Sequence, residues 1–197
     1  MATIVDKVFK RKKIALACKD VILENGIRNL TISKLAESAG VGKGSIYVYF
    51  ENKEDIVFEI LNIMMLEHNE RREKQLSKAS STKEKVRISL SFFYNSEDSE
   101  LIKIYKEFIS ILLSNPNKSM IEFQAQCLKS HHDWFLSIIQ NGIKSGELIP
   151  ESKGLAKGLC FIGEGMFVMN SFSSNPNVLE KDIYEFIDAV FKLIEVK

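Results

Sequence analysis

A chain of 197 residues, 45% of them hydrophobic, is long enough for one ordinary domain or for a small domain fused to a larger one, and has ample apolar material for a packed core. Its net charge of +1 conceals an asymmetry. Residues 1–53 hold ten Lys/Arg against five Asp/Glu and the remainder seventeen against twenty-one, so a basic head suited to a polyanion is joined to an acidic body that is not. The three cysteines, Cys18, Cys127 and Cys160, are widely spaced in apolar helical patterns with no CxxC or Cys/His spacing; they read as reduced core thiols, and neither a metal nor a cofactor is expected. The first residues, MATIVDKVFKRKK, lack an apolar run of signal-peptide length, and the longest apolar run, Leu159 to Met169, is interrupted by Glu164. The expected protein is soluble and cytoplasmic, with no membrane partner.

The periodicity is helical throughout, and Pro116, Pro150 and Pro176 each fall in a Ser, Asn, Gly or Glu cluster that marks a connection. A first helix is predicted from about Lys7 to Asn25, with Ile14, Ala17, Cys18, Val21 and Ile22 buried and Gly26 as a left-handed cap. Lys10 to Lys13 form a basic cluster near its start, the wrong end for the helix dipole. Either a solvated helix end or a basic arm beside DNA accounts for it. Residues 31–53, TISKLAESAGVGKGSIYVYFENK, then read as two short helices joined by a tight turn. Thr31 caps the first, whose apolar positions Ile32, Leu35 and Ala36 recur at helical spacing, and Ala39-Gly40-Val41 makes the turn. The second, about Lys43 to Tyr49, is too short to be stable alone. It is predicted to be held by Ile46 and Phe50 while it presents Lys43, Gly44, Ser45, Tyr47 and Tyr49 to a partner, as a helix-turn-helix presents its second helix to the DNA major groove.

This stretch resembles the DNA-binding domain of the TetR family of bacterial transcriptional regulators. The resemblance rests on Thr31, Ala39-Gly40-Val41, Gly42-Lys43-Gly44, Ser45, Ile46, Tyr47, Val48, Tyr49, Phe50 and Lys53-Glu54. It implies that Thr31, Lys43, Gly44, Ser45, Tyr47, Tyr49 and Lys53 contact DNA: Lys43 and Lys53 on phosphates, Tyr47 and Tyr49 on phosphate or base edges, Ser45 on a base or phosphate oxygen. Gly42 departs from the family's usual Ser and removes a side-chain cap, at a cost of about a few tenths of a kcal/mol. The implied fold is all-α, an N-terminal three-helix helix-turn-helix domain (1–53) joined by a long helix to a C-terminal helical ligand-binding and dimerisation domain (54–197). The resemblance weakens after residue 60, although GIKSGELIP at 142–150 is similar to a family turn between later helices.

The fourth helix is predicted to open at Asn52 and run to about Lys78, with later helices near 83–95, 98–114, 118–144, 152–173 and 178–196. On a helical wheel, residues 118–144 carry a wide apolar arc that includes Met120, Phe123, Cys127, Trp134, Phe135 and Ile138. Gln124 and His131 stand near its middle. Two polar groups there are costly to bury unless they are hydrogen-bonded, so they are either satisfied within an ordinary core or line a cavity. In the second case the wall is Phe123, Gln124, Cys127, His131, Trp134, Phe135 and Ile138, with Tyr105, Phe108, Phe167 and Asn170 from neighbouring helices. The helix at 152–173 is apolar nearly all round, with a main stripe of Leu155, Leu159, Ile162, Met166 and Met169. Beside it Gly158 and Gly165, with Phe161 and Phe172, form a shallow strip for close approach. The last helix has two stripes: Leu179, Ile183, Phe186, Val190 and Ile194, then Tyr184, Ile187 and Phe191. The resemblance implies that these two helices make a homodimer interface, with Gly158, Phe161, Ile162, Gly165, Met169, Phe172, Phe186 and Val190 at the contact.

The expected function is a homodimeric transcriptional regulator, a repressor that leaves a palindromic double-stranded DNA operator when a small hydrophobic effector fills its helical core. A ligand-independent DNA-binding regulator with a fully packed core is the alternative. An enzyme is not expected, since His131, Cys127 and Glu164 have no visible orientation and no phosphate loop, metal motif or nucleophile elbow occurs.

Overall fold

The structure, a computed structural model, describes residues 4–170 and 178–197, with only the backbone of Ile4, Val5 and Asn170. Among the described residues nine α-helices follow one another: α1 (Ile4–Asn25), α2 (Ile32–Ser38), α3 (Lys43–Ile46), α4 (Lys53–Leu76), α5 (Thr82–Leu90), α6 (Ser99–Ser114), α7 (Lys118–Lys144), α8 (Leu155–Asn170) and α9 (Val178–Ile194). The only extended pairing among them is an isolated bridge between Leu148 and Glu195. The all-α fold expected from the sequence is the fold observed.

Local chemistry sets the helix ends. Asn52 Oδ1 accepts from Asp55 N at 2.8 Å and starts α4. Ser81 Oγ accepts from Glu84 N at 3.2 Å and caps α5, and the Glu84 carboxylate accepts from Ser80 N, one residue before that cap, at 2.7 Å. Asn117 Oδ1 accepts from Met120 N at 2.9 Å at the start of α7.

Packing gives two compact units, Met1–His68 with Asp98–Phe123, and Asn69–Glu97 with Gln124–Lys197. The first therefore holds α1–α3, most of α4, α6 and the start of α7, and the helix-turn-helix shares its unit with elements beyond residue 53. Ile14, Cys18, Ile22, Leu35, Ile46 and Phe50 form the core of the head, while Ile56, Ile60, Leu101, Ile104 and Phe108 are buried further along. Ala15, not the expected Ala17, is the buried alanine of α1. His68 Nδ1 lies 2.9 Å from the Asp98 carboxylate, a buried pair between α4 and the start of α6. The second unit buries Val86, Leu90, Phe93, Phe135, Ile139, Leu159, Ile183, Ile187 and Phe191.

Two expected stripes need correction. The inward face of α8 is Ala156, Leu159, Cys160, Gly163 and Phe167, while Leu155, Ile162 and Met169 of the expected stripe are exposed. Gly163 fixes that phase, because a Cβ there would lie 2.6 Å from Leu90 Cδ2 and 3.0 Å from Phe93 Cε2. On α9 the buried line is Leu179, Ile183, Ile187, Phe191 and Ile194, with Phe186 and Val190 half-buried beside it.

Candidate functional site

Thr31 sits at φ −110°, ψ 155° and its side chain accepts from Lys34 N at 3.3 Å, so the expected cap begins α2. Leu35 and Ala36 go inward. Gly40 adopts φ +64°, a left-handed conformation that glycine reaches without a Cβ penalty, and Val41 N returns to Ala36 O at 3.0 Å. Gly42 stands at the N-cap of α3 with no side-chain bond, as the sequence implied. The helix ends at Ile46, three residues sooner than expected, with Tyr47 as its C-cap. Ile46 and Phe50 are buried at 0% and 2%, while Lys43, Gly44 and Ser45 are exposed, Tyr47 is 54% and Val48 59% exposed, and Tyr49 is half-buried. A short helix anchored on one apolar side thus carries a free face of lysine, glycine and hydroxyl groups.

Two basic residues have internal partners that the pattern did not reveal. Arg11 bonds the Asp55 and Glu59 carboxylates, each at 2.8 Å, and the Tyr49 carbonyl, and its guanidinium lies 4.3 Å from the centre of the Phe50 ring. It staples α1 to α4 and to the residues that follow α3, whereas its neighbours Lys10, Lys12 and Lys13 are exposed. Lys53 Nζ donates to the carbonyls of Ile27, Arg28 and Leu30 at 3.1, 3.1 and 3.3 Å. An ammonium has three N–H donors, so the expected phosphate contact of Lys53 would exchange one of these bonds.

The residues expected to wall a ligand divide between the two units. In the first, Phe108 is T-shaped to Phe123 at 5.5 Å, Phe58 stacks on Phe123 at 4.7 Å, and Tyr105 lies 6.4 Å from Phe108. In the second, the His131 ring lies 5.0 Å from Phe135 and 6.4 Å from Trp134. Phe135 and Ile138 are buried, Gln124 is buried with them, and Phe167 packs on Phe93 at 5.2 Å. The side chain of Asn170, and Phe172 altogether, lie outside the described residues. Sequence reasoning missed Arg72. Its guanidinium lies 3.7 Å from the Trp134 ring centre, its Nε meets no acceptor among the described residues, and burial lowers its pKa to about 10.

His131 Nδ1 is 3.6 Å from Cys160 Sγ and 3.9 Å from the Glu164 carboxylate. A thiol beside an imidazole is the contact a cysteine nucleophile needs, but here burial, and then the negative charge of Glu164, push both Cys160 and Cys127 up to about 11. That holds the thiols protonated, opposite to what nucleophilic chemistry requires.

Residues 16–60 match the family described as bacterial regulatory proteins, tetR family. The chain is 31% identical over 141 residues to the fatty acid metabolism regulator protein of Bacillus subtilis, a match spanning 71% of each chain. The chain belongs to the TetR family. It is accordingly a DNA-binding transcriptional regulator, and the helix-turn-helix with its exposed α3 face lies within the matched residues. Among solved TetR-family structures, a regulator from Cytophaga hutchinsonii shares the fold with a TM-score of 0.78 at 20% identity, covering 100% of this chain and 99% of that one. The FadR regulator of Bacillus subtilis in complex with stearoyl-CoA matches with a TM-score of 0.70 at 28% identity, covering 89% of this chain and 96% of that one.

In this TetR-family chain the outer face of α8 is apolar and open. Phe161 is 53%, Ile162 37% and Met169 68% exposed, and a Cβ at Gly158 or Gly165 would meet nothing within 4 Å. No helix among the described residues is long and apolar enough to cross a membrane.

Proposed function

We propose that the protein is a homodimeric repressor that holds a palindromic operator through Lys43, Gly44, Ser45, Tyr47 and Tyr49, and leaves it when a small hydrophobic effector binds. The observation that carries the DNA reading is the exposed α3 face held from behind by buried Ile46 and Phe50. Dimerisation through α8 and α9 is supported by the open apolar strip of Gly158, Phe161, Ile162, Gly165 and Met169 with half-buried Phe186 and Val190 beside the core line. An exposed apolar patch of this kind favours a second copy over water.

The effector reading draws on two things. A family relative has been solved with stearoyl-CoA. In this chain Arg72 is a desolvated cation resting on Trp134 with no carboxylate bonded to it among the described residues, which favours an effector that brings a negative charge to an apolar site. A second reading, a ligand-independent regulator, is favoured by the close burial of Phe135, Ile138 and Gln124.

Operator fragments selected by the purified protein, followed by gel shifts, test the first reading. Tyr47→Ala is expected to weaken binding, and Lys43→Ala to weaken all sequences alike and reduce the salt slope by about one. Wild-type affinity in both variants would reject the assignment. Trp134 is the only tryptophan, so its emission in the presence of fatty acids, acyl-coenzyme A compounds and hydrophobic cations decides between the effector reading and the packed core.

A further inference from the structure

The geometry points to a further binding site at the joint between the helix-turn-helix head and α6, one that takes a small apolar monocarboxylate and adjusts operator affinity. A cavity of about 280 Å³ opens there, between the α1–α2 loop, the first two turns of α4, the last turns of α6 and the start of α7. Its floor is apolar: Val57, Phe58, Phe108 and Met120 are all buried. Arg28, Lys53 and Glu54 stand among its walls. Of the expected ligand wall Phe108 belongs to this floor, and none of the second-unit residues borders it.

The walls select the guest. The volume is just below the usual range of drug-sized ligand pockets and equals about nine water molecules of liquid, room for one aromatic ring or a short chain with one polar head. Buried aromatic and aliphatic walls reject a fully hydrated ion and accept such a tail. The charged lining comprises two cations and one carboxylate, so a single negative charge on the guest is balanced and a second one is not. Arg28 is the group that can grip it. Its Nη2 donates to Ser114 Oγ at 2.6 Å, which commits one of five N–H donors, and the residue is exposed. Lys53 contributes charge but not bonds, its three donors being spent on loop carbonyls.

The same loop is tied to α6. Gly26 turns at φ +75°, and a Cβ there would fall 2.7 Å from Glu107 Oε1. That carboxylate oxygen accepts from Ile27 N at 2.6 Å. Lys103 Nζ reaches the Leu23 carbonyl at 2.8 Å, and Lys19 pairs with Glu100 at 2.5 Å. A guest bound to Arg28 and to the Phe58–Phe108 floor thus touches the head loop and α6 at once. It changes operator affinity by the ratio of its affinities for the DNA-free and DNA-bound arrangements of that joint.

Calorimetry on the full-length protein without DNA tests the site, with phenylacetate and hexanoate as probes, their amides as neutral isosteres and hexylamine as the cation. The carboxylates are expected to bind at least about tenfold more tightly than the amides, and hexylamine not at all. Met120→Trp, which fills the cavity, is expected to abolish binding while the helical circular dichroism is retained; Arg28→Gln is expected to level the carboxylate and amide affinities. Absence of carboxylate binding to the wild type, or binding that survives both changes, overturns the site. A saturating carboxylate is expected to shift operator affinity at least about threefold in wild type and not in Met120→Trp; no shift overturns the regulatory role. Because the calorimetry needs no operator, failure of the repressor reading and failure of this site are told apart.

Discussion

Ile46 is fully buried and Tyr47, the next residue, is 54% exposed, so changes at these two neighbours separate folding from DNA binding. Ile46→Ala removes three buried carbons from the contact that holds α3 against the head and is expected to cost about 2–5 kcal/mol in chemical denaturation. Tyr47→Ala removes a side chain that mostly faces water, so stability is expected to stay within about 0.5 kcal/mol while operator affinity falls. Equal loss of stability in the two variants would contradict this division. Gly44 belongs to the same exposed face, and nothing in the chain lies within 4 Å of where its Cβ would be. The fold does not require a glycine there, and Gly44→Ala is expected to leave stability within about 0.5 kcal/mol of the wild type.

At the level of the element, α8 and the start of α5 show what local pattern conveys and what it does not. The α2–turn–α3 unit is legible because each determinant is local: Thr31 caps, Gly40 turns, and Ile46 and Phe50 point inward. The α8 face is not, because a helix apolar nearly all round has no phase of its own. Its phase comes from Gly163 meeting Leu90 and Phe93, about seventy residues earlier. The grip of Lys53 on three carbonyls was equally hidden, since those carbonyls converge only in the folded loop that follows Gly26. Gly163→Val is expected to destabilise by about 1–3 kcal/mol through overpacking, read as a lowered denaturant midpoint. At the start of α5, Glu147 accepts from Thr82 N at 2.7 Å, and this bond holds its carboxyl below the ordinary value of 4.5. A carboxylate with a depressed folded pKa gives stability that is present above its ordinary pKa and lost as pH falls through the folded value. The melting temperature of Glu147→Gln is therefore expected to fall less steeply than that of the wild type between about pH 5 and pH 3. Parallel acid limbs would show that the bond contributes nothing.

For the whole molecule the decisive question is whether two copies act together, and Gly165 isolates it. Unlike Gly163, it has nothing within 4 Å of a Cβ position, so an isolated chain can accept a long side chain there without repacking. Its neighbours on that face, Phe161 and Met169, are 53% and 68% exposed. A second copy related by a two-fold axis would bring the same patch against itself, and a charged side chain at the centre of such an apolar contact would be buried without a partner. Gly165→Arg is therefore expected to keep its helical circular dichroism but run as monomer or aggregate in light scattering. Two-headed reading places recognition helices about 34–36 Å apart on successive turns of DNA, and joining the heads makes the second half-site contact intramolecular. Losing that link is expected to weaken binding to a palindromic operator by about 10²–10⁴-fold while binding to a single half-site stays as it was. A fully soluble, dimeric Gly165→Arg protein with wild-type operator affinity would place the interface on another face of α8 and α9, and would leave the exposed Phe161 and Met169 without the role assigned to them.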